Sequence, residues 1–323
     1  MTKKLLPTTV VGSYPKPRWL NHLIREYTEG KISEKIMERA YQDSIKAVVK
    51  EHELAGVDIL WDGEMRREEM TSYFAEHING FKVYGEVRVW GNNYYKKPAI
   101  IDELRYGDEL TIQDYKFLRE ITKNRIKVPI TGPYTIVDWS FNEFYKSKED
   151  AIYALADVIN KELKGLVRAG ADYIQIDDPA ISTHPDEIEI AKNSIEIATR
   201  GVNAYLGIHI CYGDYSKIYP DILEFPVNQL DFELANKNFR DIEIFKRYDF
   251  TKDIGFGCVD VHTKHVESVE EIQENIRKAF QLVEPKNVYV DPDCGLKLLP
   301  SEVAFKKLRN MCHAAKELRE EIE

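Results

Sequence analysis

The segment A-G-A-D-Y-I-Q-I-D, residues 169–177, takes the chain from the end of a helical pattern into a short apolar strand. Before it, Ile and Leu recur at helical spacing, and S-K-E-D at 147–150 resembles a helix N-terminal capping box. A-G-V-D-I-L-W at 55–61 has the same form, with Gly56 as the C-cap of a preceding helix. Such repeated helix-to-strand connections are typical of a parallel sheet.

Short apolar strands alternate with longer helical patterns along the chain, and no Pro-, Ser- or Gly-rich linker divides it. Eight main strands are predicted, at 8–12, 57–61, 128–131, 173–176, 206–210, 229–232, 255–261 and 287–290. This pattern predicts a single domain over residues 1–323, with the α/β fold of a TIM-type (β/α)8 barrel. A doubly wound sheet is the weaker alternative, because no Gly-rich dinucleotide loop follows the first strand.

Residues 80–110 differ from the rest of the pattern. Val83–Trp90 alternates between apolar and polar residues, Gly91-Asn92-Asn93 has the composition of a turn, and Pro98–Glu103 resumes an extended pattern. We therefore predict a β-hairpin inserted after the second strand.

Composition excludes several classes of partner. The 323 residues carry a net charge of −10 with both signs spread along the chain, whereas a nucleic-acid-binding face needs concentrated Lys and Arg. The four cysteines form no C-x-x-C pair, which fits a reduced cytoplasmic compartment better than a secreted disulfide framework. Pro7 and Gly12 interrupt the N-terminal apolar run, so neither a signal peptide nor a membrane span is predicted.

G-I-H-I-C-Y at residues 207–212 places His209 and Cys211 two positions apart in a predicted strand. Side chains alternate faces along a strand, so this imidazole and this thiol would project in the same direction. Both are good ligands for a borderline-soft cation such as Zn²⁺. Two residues do not complete a tetrahedral site, so further ligands must come from other strands.

In barrels of this type, functional residues collect at the carboxyl ends of the strands. The predicted strand ends carry polar or metal-capable residues at Gly12-Ser13, Glu64, Asp177-Asp178, His209/Cys211, Glu233, Asp260/His262 and Cys294. The predicted metal set is His209, Cys211, Glu233 and Cys294. Each of these alone is more often structural, because a strand cysteine is usually buried in the core. Cys258 and Cys312 are expected to be such core residues.

Seven motifs occur together in order: G-S-Y-P at 12–15, D-G-E at 62–64, T-G-P-Y-T at 131–135, Q-I-D-D-P-A at 175–180, H-I-C-Y at 209–212, D-V-H at 260–262 and D-P-D-C-G-L at 291–296. Each motif is weak alone. Their order and spacing over nearly the whole chain resemble the C-terminal catalytic barrel of cobalamin-independent methionine synthase, and in particular the short archaeal-type members of that family.

The resemblance implies roles for individual residues. Four match the family's zinc ligands: His209, Cys211, Glu233 and Cys294. Four match its homocysteine-binding positions: Gly12, Ser13, Glu64 and Asp177. His262 matches the residue given the role of proton donor, and Trp139 matches a tryptophan beside the folate.

The residues expected to bind the methyl donor depart from the family pattern. Thr183 stands where the family has a glutamate for the pterin, and these 323 residues include no N-terminal barrel like that of full-length members. The expected methyl donor is therefore either a methylcobalamin-bearing corrinoid protein, as suspected for short members, or a methyl-folate or methyl-pterin. A corrinoid protein or a separate N-terminal-type barrel is the candidate partner, with Tyr84–Tyr95 as a candidate docking segment.

The charge of the ligand set indicates its chemistry. Two cysteinates, one carboxylate and a neutral imidazole on Zn²⁺ sum to −1, so a bound substrate thiolate would keep much of its electron density. That suits alkyl transfer better than water activation, for which His-rich open sites are typical. We therefore predict methionine synthesis by zinc-dependent methyl transfer to the thiol of homocysteine.

Three alternatives remain open. A related enzyme could alkylate coenzyme M, but that thiol has no amino group and would not need the paired acids Glu64 and Asp177. A metal-dependent hydrolase would be expected to show more histidines at the strand ends. A non-catalytic accessory barrel stabilised by zinc is the third, and the intact thiol side of the site argues against it.

Overall fold

The repeated A-G-x-D connection forms as predicted in the computed structural model, which describes residues 4–90 and 93–322. Helix Lys148–Ala169 begins after Ser147, whose side chain accepts a hydrogen bond from the Asp150 amide, and it ends at Gly170 with φ 101°. Helix Glu34–Ala55 ends in the same way, at Gly56 with φ 90°. Glycine adopts this left-handed conformation at little cost, so each helix stops and the chain turns into a strand.

Ten helices are described in this part of the chain: α1 Arg18–Thr28, α2 Glu34–Ala55, α3 Ser72–His77, α4 Ile112–Ile121, α5 Pro133–Asp138, α6 Lys148–Ala169, α7 Ile188–Thr199, α8 Ile242–Phe245, α9 Val269–Ala279 and α10 Ser301–Ile322. A capping box opens α9, where Ser268 and Glu271 each accept the other's backbone N–H. Among the described residues, no helix is long and apolar enough to cross a membrane.

Eleven strands are described over the same residues: β1 Ile59–Leu60, β2 Asn79–Trp90, β3 Asn93–Arg105, β4 Arg125–Ile126, β5 Val128–Thr131, β6 Phe141–Asn142, β7 Tyr173–Asp177, β8 Tyr205–Ile210, β9 Gln229–Phe232, β10 Asp253–Val259 and β11 Val288–Pro292. Six of them form one sheet in the order β11-β10-β9-β8-β7-β5. The pairs β5–β7, β7–β8 and β10–β11 are parallel, with Asp177 opposite His209. The last six of the eight predicted main strands are therefore confirmed, with shifts of one or two residues at their ends.

The first two predicted strands are shorter than expected. Within the predicted strand 8–12, Thr8 and Thr9 form only isolated parallel bridges, to Val290 and Ile59. The second strand is regular only at Ile59–Leu60, which pairs with β4. The residues that follow Thr9 leave the ladder, because the Ser13 carbonyl accepts the Leu296 amide and the Tyr14 amide donates to Gly63.

The predicted hairpin insertion is confirmed and is longer than expected. β2 pairs antiparallel with β3 from Asn79↔Arg105 to Trp90↔Asn93, and β6 adds a parallel third strand beside β3. Of the predicted Gly91-Asn92-Asn93 turn, residues 91 and 92 lie outside the described residues.

Contacts divide the chain into two compact units. Unit 1 comprises Met1–Arg66, Leu118–Ile126 and Asp231–Glu323, and unit 2 comprises Arg67–Phe117 and Lys127–Leu230. In unit 1, α10 packs against α2 and α9. In unit 2, α6 packs against α5 and α7. The prediction of a single domain over residues 1–323 stays a prediction.

Candidate metal and substrate site

His209 and Cys211 lie at the carboxyl end of β8, where hydrogen bonds hold the backbone in place. The His209 carbonyl accepts the Asp178 amide at 3.0 Å, and the Cys211 carbonyl accepts the Ser182 hydroxyl at 3.3 Å. Between them, the Ile210 carbonyl accepts the Tyr215 hydroxyl at 2.7 Å. All these partners belong to unit 2, so the strand end that carries two predicted ligands is fixed through its own carbonyl groups.

The Q-I-D-D-P motif ends β7 with two acids in different roles. The Asp177 carboxylate accepts the side-chain amide of Gln175 at 2.6 Å. Asp178 is buried, and its Oδ1 accepts both the amide and the hydroxyl of Thr135, at 2.7 and 2.5 Å. Burial raises the pKa of Asp178 to about 7 despite these hydrogen bonds. Asp178 thereby ties β7 to the start of α5, the short helix whose C-cap is Trp139.

In unit 1, the Glu233 carboxylate is buried and held by two side chains. Its Oε1 accepts a hydrogen bond from His262 Nε2 at 2.5 Å and another from Asn236 Nδ2 at 2.6 Å. The His262 side chain is 34% exposed, and its backbone amide donates to Asp260 Oδ1 at 2.7 Å. The D-V-H motif thus directs the imidazole to Glu233, while the Asp260 carboxylate fixes the backbone that carries it.

Asp293 fixes the loop that follows Glu233, a role that the sequence analysis did not assign. Its Oδ1 accepts the amides of Leu234 and Ala235, both at 2.8 Å, and its Oδ2 accepts the Asn236 amide at 2.7 Å. Burial raises the pKa of Asp293 to about 7. The sequence feature that could have indicated this role is the second Asp of D-P-D-C-G-L, because it directly precedes the predicted ligand Cys294.

Unit 1 also brings together the segments predicted to bind the amino-acid part of the substrate. Gly295 lies so close to Ser13 that a Cβ atom there would be 2.0 Å from the Ser13 hydroxyl. Tyr14 donates its amide to Gly63 at 3.0 Å, which places the Gly12–Ser13 segment beside Glu64. Glu64 has φ 58°, a left-handed conformation uncommon for this residue type, and its amide donates to Asp62 at 2.7 Å.

Three predicted metal ligands lie together. One ring nitrogen of His209 and the sulfur atoms of Cys211 and Cys294 are all within 4.8 Å of one another, and His209 and Cys211 are buried. Atoms that share one Zn²⁺ at bond lengths of about 2.0–2.3 Å lie at most about 4.6 Å apart, so donors within 4.8 Å of one another need at most a small side-chain movement to share one ion. Two thiols and an imidazole are also the donor types that zinc prefers. Glu233 is not in this group, and its role as a fourth ligand stays a prediction.

Comparison with known proteins identifies the family. Residues 6–317 match the family described as cobalamin-independent synthase, catalytic domain. The methionine synthase of Pyrococcus furiosus is 48% identical over 324 residues, covering 100% of this chain and 96% of that protein. The methionine synthase of Sulfurisphaera tokodaii is 45% identical over 319 residues, covering 98% and 94%.

Solved structures agree with this assignment. A B12-independent methionine synthase from Shewanella sp. W3-18-1 in complex with selenomethionine has a TM-score of 0.89 at 27% identity, with 99% of each chain covered. A methyltransferase from Methanosarcina mazei shares the fold, with a TM-score of 0.70 at 16% identity and coverage of 98% of this chain and 94% of that one. The predicted α/β fold of the TIM type is confirmed. The chain therefore belongs to the cobalamin-independent methionine synthase family and is a methyltransferase.

Proposed function

We propose that this protein makes methionine by zinc-dependent transfer of a methyl group to the thiol of homocysteine. The observation that carries the zinc part is the group formed by His209, Cys211 and Cys294, whose donor atoms lie within 4.8 Å of one another. When bound there, zinc would supply a positive charge that favours the thiolate form of the substrate over the thiol. The names of the relatives support the choice of homocysteine as the acceptor.

Glu233 is suited to be the fourth and weakest ligand. Its Oε1 already accepts hydrogen bonds from His262 and Asn236, so the carboxylate has partners whether or not it binds a metal. A ligand with such an alternative state can give up its place to the substrate thiol at low cost. X-ray absorption of the zinc protein with and without homocysteine tests this, and an unchanged set of ligands after substrate binding would contradict it.

The remaining predicted residues bind and orient homocysteine in this proposal. Glu64 and Asp177 would bind its ammonium group, and the Gly12–Ser13 amides with the Ser13 hydroxyl would bind its carboxylate. His262 can hold a proton at Nε2 because Glu233 Oε1 accepts from that nitrogen at 2.5 Å. Its partial exposure leaves it accessible to a leaving group that needs protonation.

The methyl donor is left as two alternatives, a methylcobalamin-bearing corrinoid protein or a methyl-folate or methyl-pterin beside Trp139. Thr183, which replaces the glutamate expected for a pterin, supports the first. A corrinoid protein or a separate N-terminal-type barrel would then be the partner. The four cysteines form no C-x-x-C pair, which supports work in the reducing cytoplasm.

The test is methyl transfer to homocysteine by the purified zinc-loaded protein, with methylcobalamin and methyltetrahydrofolate compared as donors. Methionine formed from either donor supports the acceptor, and the faster donor identifies the donor class. Cys294→Ser, which keeps the size of the side chain, is the control for the metal. Equal activity of that variant, or no methionine from either donor, would overturn the proposal.

A further inference from the structure

A buried ion pair lies behind the segment that carries His262. Lys307, in the first half of α10, is fully buried, and its Nζ donates to Glu267 Oε2 at 2.7 Å. Glu267 directly precedes Ser268, the N-cap of α9, and its carbonyl accepts the side-chain amide of Asn310 at 2.8 Å. Two side chains of α10 therefore hold Glu267 in place.

The other oxygen of Glu267 reaches the D-V-H motif. Its Oε1 accepts the Asp260 amide at 3.0 Å, and Asp260 Oδ1 in turn accepts the His262 amide at 2.7 Å. Each of these bonds restrains backbone rather than a mobile side-chain end. These two hydrogen bonds therefore fix the direction in which the His262 imidazole projects from the backbone.

The path ends at a predicted ligand. His262 Nε2 lies 2.5 Å from Glu233 Oε1, and the same oxygen accepts a hydrogen bond from Asn236 Nδ2 at 2.6 Å. A continuous series of hydrogen bonds, all within unit 1, therefore runs from α10 through Glu267 and Asp260 to the proton-donor candidate and the carboxylate.

The energetics of burying charges indicate that the Lys307–Glu267 pair positions other groups more than it stabilises the fold. Removing two charges from water costs several kcal/mol, and a buried ion pair often stabilises a fold no better than an apolar pair of the same size. A Leu or Met at position 307 would pack as well, but it would leave the buried Glu267 carboxylate without its counter-charge. Partners behind a metal ligand commonly act in this way, by fixing the orientation of the groups in front of them.

We propose that Glu267, held by Lys307, is a positioning residue that sets the orientation of His262 and, through it, of Glu233. The inference rests on the proposed function, because it assigns these residues to the zinc and proton-donor side of that site. It adds to the set required for full activity the Glu267 oxygen that accepts the Asp260 amide, with Lys307 as the charge that lets the carboxylate be buried.

Two double variants isolate the hydrogen bond from the charge. Lys307→Met/Glu267→Gln removes both charges but keeps an oxygen that can accept the Asp260 amide, and Lys307→Met/Glu267→Met removes that oxygen as well. Because neither leaves an unpaired buried charge, both are expected to fold. We expect the Gln variant to stay close to wild type, and the Met variant to lose about 10- to 100-fold in kcat and in zinc affinity, with KM for homocysteine unchanged.

Zinc affinity is measured on the metal-free proteins by competition with a chromogenic chelator, so it reports on the ligands independently of turnover. The control is Glu162→Met in unit 2, which removes another buried carboxylate that accepts backbone amides, those of Leu110 and Thr111. That change should lower thermal stability without changing kcat or zinc affinity.

Equal kcat and zinc affinity in the Gln and Met double variants would overturn the inference. A loss of the same size in Glu162→Met would also overturn it, since the effect would then follow from any buried acceptor. An inactive wild-type enzyme would instead contradict the proposed function, while the zinc-affinity comparison would still test the positioning role.

Discussion

The two units hold their predicted metal ligands by different means. In unit 2, His209 and Cys211 lie on a strand end whose carbonyls accept hydrogen bonds, so what is fixed is the backbone. In unit 1, the Glu233 carboxylate is itself held, by His262 and Asn236. A ligand whose backbone is fixed holds its side chain at a defined starting position, whereas a ligand held through its own oxygen can exchange between partners. We expect the first kind to hold the metal and the second to tune it.

The largest test of this difference compares Cys211→Ser with Glu233→Gln. Losing a thiolate should remove most of the bound zinc and lower kcat beyond the roughly 10- to 100-fold typical of losing an outer partner. Glu233→Gln should retain zinc and lose activity within that range. Zinc content by mass spectrometry and methionine formation give the two numbers. Similar zinc loss in both variants would mean that the carboxylate holds the metal as firmly as the thiolate.

The second test removes the hydrogen bonds that hold the backbone near a predicted ligand in each unit. Asp293→Asn leaves one acceptor oxygen for three backbone amides, so at least one loses its partner, at a cost of about 1–3 kcal/mol in unfolding free energy. Because these amides belong to the loop that carries Asn236, kcat should fall as well.

Ser182→Ala is the matched change in unit 2. It removes one hydroxyl from the Cys211 carbonyl, and we expect a loss of about 0.5–1.5 kcal/mol with little change in kcat, because the strand keeps its other bonds. Urea unfolding and steady-state kinetics measure both variants. A larger kcat loss in Ser182→Ala than in Asp293→Asn would reverse the comparison.

Two buried groups, His52 in unit 1 and Asp178 in unit 2, respond to pH in opposite directions, and Asp293 in unit 1 responds like Asp178. In unit 1, His52 is fully buried against the Tyr14 ring, and burial lowers its pKa from 6.5 to about 4. The unfolded chain therefore binds the extra proton between these values, so stability present above pH 6.5 is lost as the pH falls toward 4. At 1.36 kcal/mol per pKa unit this is on the order of 3 kcal/mol. His52→Phe should flatten this part of the stability curve, and an unchanged slope in urea unfolding would contradict the assignment.

Asp178 in unit 2 should act in the other direction. Its pKa is raised to about 7, so the folded state retains a proton that the unfolded chain loses, and stability falls as the pH rises from about 4 to 7. Asp178→Asn should weaken this fall while His52→Phe leaves it in place. If both substitutions altered the same pH range in the same sense, the shifts would have another origin.

The smallest expected effect concerns two residues with the same strained backbone. Glu64 in unit 1 and Tyr212 in unit 2 have φ of 58° and 60°, and Asn tolerates this conformation better than either. Both Asn variants should change the unfolding free energy by less than about 1 kcal/mol. Only Glu64→Asn should raise KM for homocysteine, because only it removes a predicted ammonium ligand. An unchanged KM for homocysteine in Glu64→Asn would show that Glu64 does not bind the substrate ammonium group.

Features set by neighbouring residues could be predicted from the sequence. The A-G-x-D connections, the Ser147 N-cap and the hairpin all depend on residues close together in the chain, and they formed, although the hairpin is longer than predicted. The pair His209 and Cys211 followed from strand alternation alone. The strand predicted at 8–12 is reduced to isolated bridges because its hydrogen bonds depend on distant residues, 59 and 290. After Thr9 the segment instead makes hydrogen bonds with residues 63 and 296.

The supporting residues were missed for the same reason. Asp293 contacts amides 57 to 59 positions earlier, and Lys307 contacts a carboxylate 40 positions away. No local pattern distinguishes a buried lysine in the middle of an amphipathic helix from a solvated one. Asp293 stands in a short motif and Lys307 in none, yet both make contacts too far along the chain for a local pattern to indicate.

Leu6 and Thr8 in unit 1 depend on residues that are synthesised much later. Thr8 pairs with Val290, and Arg319 in α10 donates to the Leu6 carbonyl, 313 positions away. At ribosomal rates of about 5–20 residues per second, the N-terminal segment waits roughly 5–20 s between the completion of unit 2 at Leu230 and the arrival of Arg319. Unit 2, whose strands β5, β7 and β8 follow one another along the chain, can fold during that interval. During that interval the partners of Leu6 and Thr8 have not yet been made, so the apolar segment around them is exposed and accessible to a chaperone.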